Sequence, residues 1–380
     1  MSLVVDTHRQ YLEDNARVSA FRRALAEVVR PGQTVLDLGS GTGILGLLAC
    51  EAGAGRVYSM EETGLSELAR AVADANGFAD RIVPVQRWSR EATLPERVDV
   101  IVCDFIGGFG FDSTLVGDGS DARDKFLKAG GTMIPRGIEL EMAPVEDAVA
   151  YDRIEFWARR PYGFDFSPVW RWAANTGYPQ FTSSEATLAS SATMTCIDMM
   201  TIDATPVSFA HRFVATRSGT LHGLGAWFRA RLSPNVVMSN APDAQPRMNR
   251  RNVFFPIETP VAIDTGDVID VRMQVIPAET VVGWSVDIRG PDTTTVKGRF
   301  RQSTLNGMLL SRAELRRTKP SFVPRRTPRG DARLSVLTLC DSHRSLAEIE
   351  REMLRLHPDL FQSLGEAGAF VAEVVTRYSV

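Results

Sequence analysis

The sequence predicts an α/β domain followed by an all-β domain and a small helical appendage. Three observations predict it. Between Thr34 and about Pro135, short apolar runs alternate with helical stretches, the pattern of parallel βαβ units. From residue 137 to 310 the pattern changes to short β-branched and aromatic runs divided by Gly, Pro, Asn and Asp, as in a sandwich or barrel. The last ~50 residues return to helical spacing. With 380 residues, 44% of them hydrophobic, the chain has ample material for a buried core. At ~150 residues per domain, two or three domains are expected.

The elements follow in order. Residues 8–29 read as an amphipathic helix with Leu12, Ala16, Phe21, Ala24 and Val28 apolar, ended by Pro31-Gly32. Residues 1–30 thus form an N-terminal helix, and residues 31–136 a Rossmann-like domain. Its strands are expected at Thr34–Leu38, Arg56–Met60, Ile82–Gln86, Val98–Asp104 and Thr132–Ile134. Its helices are expected at Leu45–Ala52, Leu65–Asn76 and Ala122–Lys128. Residues 137–311 form the β-barrel. Within it, residues 151–181 hold 10 of the chain's 31 aromatic residues, a concentration that fits either an oligomer surface or local core packing. Residues 312–329 carry seven Lys/Arg, one acid (Glu314) and three prolines. They read as a basic linker, solvated or set against an acidic peptide. In residues 330–380, Ser345–Glu348 and Ser363–Glu366 are capping boxes, the first opening a helix with Leu346, Ile349, Met353 and Leu356 on one face.

Composition excludes several classes. The net charge of −3, from 43 basic and 46 acidic residues, gives no polyanion-binding footprint, so nucleic acid is not an expected partner. No stretch approaches the ~18 apolar residues of a membrane span, and the N-terminus lacks a signal-peptide pattern. Cys50, Cys103, Cys196 and Cys340 are far apart, so neither a metal site nor a disulfide framework is expected, and the setting is cytoplasmic.

Val35–Gly43, reading VLDLGSGTG, follows the first strand and precedes a helix. Gly39, Gly41 and Gly43 allow a sharp turn and close approach of a ligand. A glycine-rich turn alone is shared with dinucleotide enzymes. Two acids sharpen it. Asp37, two residues before the first glycine, would repel a pyrophosphate but suits the ammonium of an amino acid. Glu61 closes the next strand, where an acid accepts both hydroxyls of a ribose. An adenosine carrying an amino-acid tail is S-adenosylmethionine.

With these residues, over about 7–310, the sequence resembles the protein arginine methyltransferases. Asp37–Leu45, Ala52-Gly53-Ala54 and Glu61 resemble that family's cofactor motifs. Ala122–Gly131 resembles its helix and turn before the last Rossmann strand. Tyr162–Ser167 resembles the start of its dimerisation arm. The resemblance implies S-adenosylmethionine as cofactor, S-adenosylhomocysteine as product and a homodimer through about 151–181. It also implies that His8 contacts the ribose and that Arg17 binds the cofactor's carboxylate. Arg90 stands where the family has a glutamate for the adenine amino group; an arginine cannot accept a hydrogen bond, so Ser89 is the expected adenine contact.

The acceptor motifs depart further. The family holds the substrate guanidinium between two glutamates on the loop after the fourth strand. Here the acids are Asp104 and Asp112, shorter by one methylene and closer by one residue. They are the expected catalytic pair, with Gly107–Gly110 between them read as a mobile lid. The family's Thr-His-Trp motif should fall near Pro246–Asn249, which contains neither His nor Trp. The acceptor is therefore either an arginine or a carboxylate, amide or amine of a peptide or small metabolite. A protein that binds the cofactor without turnover is the third reading.

Leu337–Asp341 and Arg344–Ile349 resemble the winged-helix peptide-recognition domains of ribosomal-peptide modification pathways. That resemblance implies a precursor peptide held by residues 330–380, pairing with a strand edge. A plain helical cap on the barrel is the alternative.

Overall fold

A computed structural model describes residues 4–309, 311–317 and 319–379. Within the expected linker, Thr318 lies outside the described residues. Two compact units divide the chain, residues 1–308 and 309–380.

The N-terminal segment is two helices, α1 (Val4–Glu13) and α2 (Asn15–Val28), rather than one. Asp14 breaks the run because its side chain caps α2, accepting from Arg17 N. α2 buries Ala20, Phe21, Ala24 and Leu25, the helically spaced apolar face.

The Rossmann-like part runs β1 (Thr34–Leu38), α3 (Ile44–Glu51), β2 (Arg56–Met60), α4 (Leu65–Ala75), β3 (Ile82–Val85), β4 (Val98–Cys103), α5 (Leu115–Phe126) and β5 (Leu127–Ile134). The strands form one parallel sheet in the order β3-β2-β1-β4-β5. β1 is buried throughout, as a parallel strand covered on both faces must be. α5 begins seven residues before the expected Ala122, and its last two expected residues belong to β5.

The β domain contains β6 (Gly137–Val145), α6 (Ala148–Glu155), α7 (Trp170–Ala174), β7 (Tyr178–Gln180), β8 (Ala192–Asp198), β9 (Val207–Val214), β10 (Gly219–Arg231) and β11 (Val237–Ser239). It continues with β12 (Asn252–Ile263), β13 (Val268–Ile276), β14 (Val281–Arg289), β15 (Val296–Ser303) and α8 (Thr304–Gly307). Its two antiparallel sheets have the orders β7-β12-β10-β6-β8, with β11 against β10, and β15-β14-β13-β9. β14 alternates half-buried and buried along its length, placing Val282, Trp284, Val286 and Ile288 in the core. One hydrophobic core runs from the parallel sheet into the barrel, with Val35, Ile101, Phe109, Phe255 and Trp284 among its members.

Residues 309–380 carry α9 (Arg312–Arg317), then α10 (Pro328–Leu339), α11 (Leu346–Leu356) and α12 (Leu364–Tyr378), and the last three share a core that includes Val336, Met353, Phe370 and Val374. Ser345 and Glu348 form the expected capping box. At α12, Ser363 accepts from Glu366 N, but the Glu366 carboxylate reaches Gln362 N instead of closing the box. Of the expected α11 face, Ile349 and Met353 are buried while Leu346 and Leu356 are exposed. No strand occurs among the described residues of this unit, so it offers no sheet edge for a peptide to join. Among the described residues no helix is long and apolar enough to cross a membrane.

Candidate active site

In the order β3-β2-β1-β4-β5, connections leave β1 and β4 toward opposite sides, and a crevice opens outside their carboxyl ends. The turn after β1 and the loop after β4 meet there. Gly39 N and Ser40 N both donate to Met60 O, folding the turn back on the end of β2. Gly41 has φ +53°, and a Cβ on it would lie 2.4 Å from the His8 ring. Only glycine allows both that conformation and the close approach of α1. His8 therefore covers the turn, edge-on to Tyr11.

Asp37 is fully buried; its Oδ2 accepts from Gly46 N at 2.8 Å, while Oδ1 has no partner among the described residues. Burial pushes its carboxyl up to about 7, against the opposing pull of the Gly46 N–H and the Arg17 charge. A buried acceptor without a donor is costly, and an ammonium would satisfy it. Glu61 Oε2 accepts from Gly41 N at 3.1 Å and Oε1 from Thr63 N and Oγ1 at 3.1 and 2.7 Å. Oε2 keeps a lone pair for a ribose hydroxyl, whereas Oε1 already accepts two hydrogen bonds. Glu61 and the buried Ser89 line a cleft of about 160 Å³ together with Trp88, Phe105 and Asp118. Arg90 Nε donates to Asp118 Oδ1 at 3.0 Å. The orphaned Asp37 oxygen, the fixed Glu61 and this cleft fit S-adenosylmethionine.

A larger cavity of about 680 Å³ adjoins the cleft, and both are bordered by Gly39 and Phe105. Asp104 stands at its base with its side chain only 5% exposed. Arg17 Nε donates to Asp104 Oδ2, and Arg17 Nη1 donates to Tyr11 O at 3.2 Å. Arg250 Nη1 and Nη2 donate to the two oxygens of Asp104, each at 3.2 Å, a bidentate pair. Burial works against the charge of Arg250, but Asp104 outweighs it and raises the Arg250 pKa.

Asp112 lines the same cavity, but both its oxygens accept from Gly108 N, at 2.9 and 2.7 Å, and Oδ1 also accepts from Phe109 N. Gly107, at φ +78°, leaves room for that carboxylate, since a Cβ there would lie 2.2 Å from Asp112 Oδ1. The loop is anchored and is not a lid: Ile106, Phe109 and Phe111 are buried, Phe109 lies 5.2 Å edge-on from Phe255, and Phe111 stacks on Phe209. The expected mobility fails because these side chains alternate with the glycines and plug into the barrel.

Sequence reasoning missed Asp14, Tyr11 and Arg250. Asp14 Oδ2 accepts from Asn249 N at 2.8 Å, joining the start of α2 to the barrel loop. Asn249 belongs to Pro246–Asn249, the stretch that lacks the expected histidine and tryptophan. The signal for Arg250 was the run Arg247, Arg250, Arg251 beside Pro246–Asn249, arginines in place of the absent motif.

Residues 139–284 match the profile of the arginine methyltransferase oligomerization subdomain. Residues 22–145 match that of ribosomal protein L11 methyltransferase. Protein arginine N-methyltransferase 6 of Xenopus tropicalis is 30% identical over 252 residues, 63% of this chain and 74% of that protein. Probable protein arginine N-methyltransferase 6 of Arabidopsis thaliana is 30% identical over 239 residues, 60% of this chain; the chain spans 55% of that protein. Among solved structures, Arabidopsis thaliana protein arginine methyltransferase 10 superposes with TM-score 0.68 at 20% identity, covering 78% of this chain and 97% of that one. The Trypanosoma brucei PRMT1 enzyme–prozyme heterotetramer, solved with AdoHcy, gives TM-score 0.69 at 22% identity, with 78% and 96% covered. The fold, the cofactor cradle and these relatives agree: the chain belongs to the protein arginine N-methyltransferase family and is an S-adenosylmethionine-dependent methyltransferase.

Proposed function

We propose that the enzyme methylates a side chain of a ribosomally made precursor peptide recruited by its C-terminal unit. The observation that carries this reading is the separate core of residues 309–380, which lies beyond the family's matched region ending at residue 284. The two solved relatives are almost wholly covered, yet they cover 78% of this chain. The unit exposes Leu334, Leu337, Leu346 and Leu356, apolar side chains a peptide can cover.

The bound cofactor supplies a methyl group on a sulfonium. The chain's own residues do the rest: Asp37 offers its unpaired oxygen to an ammonium, Glu61 holds the ribose, His8 covers the turn and Ser89 meets the adenine. Asp104 and the loop through Asp112 form the wall facing the acceptor. Relatives that are arginine methyltransferases favour a guanidinium acceptor. The Arg250–Asp104 pair favours a different one.

Methyl transfer to candidate precursor peptides, compared between the full chain and a chain ending at Met308, tests the reading. Both proteins should bind S-adenosylmethionine, and the full chain should modify peptide at concentrations where the short one does not. Equal rates would remove the C-terminal unit from substrate recruitment.

A further inference from the structure

We infer that the acceptor is a carboxylate, the side chain of an Asp or Glu, gripped by Arg250. This rests on the reading of the enzyme as a peptide methyltransferase and names the chemistry of its acceptor.

Three carboxylates line the 680 Å³ cavity, and each is already engaged by this chain. Asp14 accepts from Arg17 N and Asn249 N. Asp112 accepts from Gly108 N and Phe109 N. Asp104 accepts from Arg17 and, bidentately, from Arg250. A substrate guanidinium entering here meets another guanidinium at the carboxylate it needs, and must break a bidentate pair that is only 17% exposed on the arginine side. An anionic acceptor meets the opposite situation. Arg250 can keep one edge on Asp104 and turn remaining N–H groups to the ligand, since a guanidinium has five. Arg251 lines the same cavity.

The chemistry is also simpler for a carboxylate. A guanidinium must give up a proton as it is methylated, and every carboxylate lining this cavity is already accepting hydrogen bonds from the chain itself. A carboxylate is ionised at neutral pH. One of its oxygens forms the new O–CH3 bond as the S–CH3 bond breaks with its electron pair kept by sulfur, giving a methyl ester and a neutral thioether. No proton changes place. The shortened, fully engaged aspartates are then not a damaged arginine site; Asp104 positions Arg250 and balances its charge.

Calorimetry with N-acetyl-glutamate methylamide, its glutamine counterpart and N-acetyl-arginine methylamide tests this on the full chain saturated with S-adenosylhomocysteine. The glutamate probe should bind at least tenfold tighter than the other two. Arg250→Met should abolish that preference, and Arg250→Lys should retain part of it. S-adenosylhomocysteine affinity and the unfolding midpoint of each variant report whether the fold is kept; the wild-type preference stands without them. On a methylated peptide, the methyl should be released as methanol by mild base. Tighter binding of the arginine probe, no binding by any probe, or a base-stable methyl on arginine would each overturn the carboxylate. A base-stable methyl on arginine would leave the peptide reading standing. Arg250-dependent glutamate binding without modification of any peptide would instead sink the peptide reading alone.

Discussion

Asp37 and Arg250 show how a residue's meaning depends on its neighbours. Asp37 sits inside a motif nine residues long, so its role was legible from adjacent sequence. Arg250 reaches its partner across 146 residues, and no local pattern reports such a pairing. Asp37 also carries a prediction. Its ordinary value of 3.8 is raised by burial to about 7. The folded ligand-free protein therefore holds a proton between about pH 4 and 7 that the unfolded chain has released. Its stability contribution is present below pH 4 and lost as pH rises toward 7. A ligand ammonium needs the ionised form, so cofactor affinity should fall about tenfold per pH unit below 7. Titrations at pH 5.5, 6.5 and 7.5 should show this slope in the wild type and a weak, flat profile in Asp37→Asn. A flat wild-type profile would mean that Asp37 does not meet the ammonium.

At the scale of elements, the loop from Asp104 to Asp112 packs the cofactor domain against the barrel. Phe109 is 1% exposed and packs on Phe255. Phe109→Ala should cost about 3–5 kcal/mol in urea unfolding, with cofactor binding retained in the folded fraction. A cost under 1 kcal/mol would restore the lid reading. Sequence alone identified the parallel strands correctly, because continuous apolar runs between helical stretches leave little else for β1, β2 and β4 to be. It misplaced α5, whose Gly117 and Gly119 count against a helix by propensity but lie within one. It also took the loop glycines as flexibility, although the phenylalanines between them fix it. In both cases tertiary packing overrode a local preference.

For the whole molecule, composition pointed to two or three domains but not to which surfaces meet partners. The aromatic concentration at 151–181 divides in the structure: Tyr151 is buried, whereas Tyr162 and Phe164 are 99% and 70% exposed. That segment lies within the region matching the oligomerization subdomain. We propose a homodimer through it. Sedimentation velocity should show a dimer for the wild type and a monomer for the double variant Tyr162→Asp, Phe164→Asp; an unchanged dimer would place the interface elsewhere. The C-terminal unit was legible as helices because both capping serines precede apolar spacing. Its expected sheet edge was not realised among the described residues.

The measurement on which everything rests is calorimetric titration of the full chain with S-adenosylmethionine, beside Glu61→Ala. One site per chain is expected, weakened roughly 10–100-fold when the ribose-holding carboxylate is lost. No binding by the wild type, or equal binding by the variant, would contradict the assignment of the β1–β4 crevice as the cofactor site.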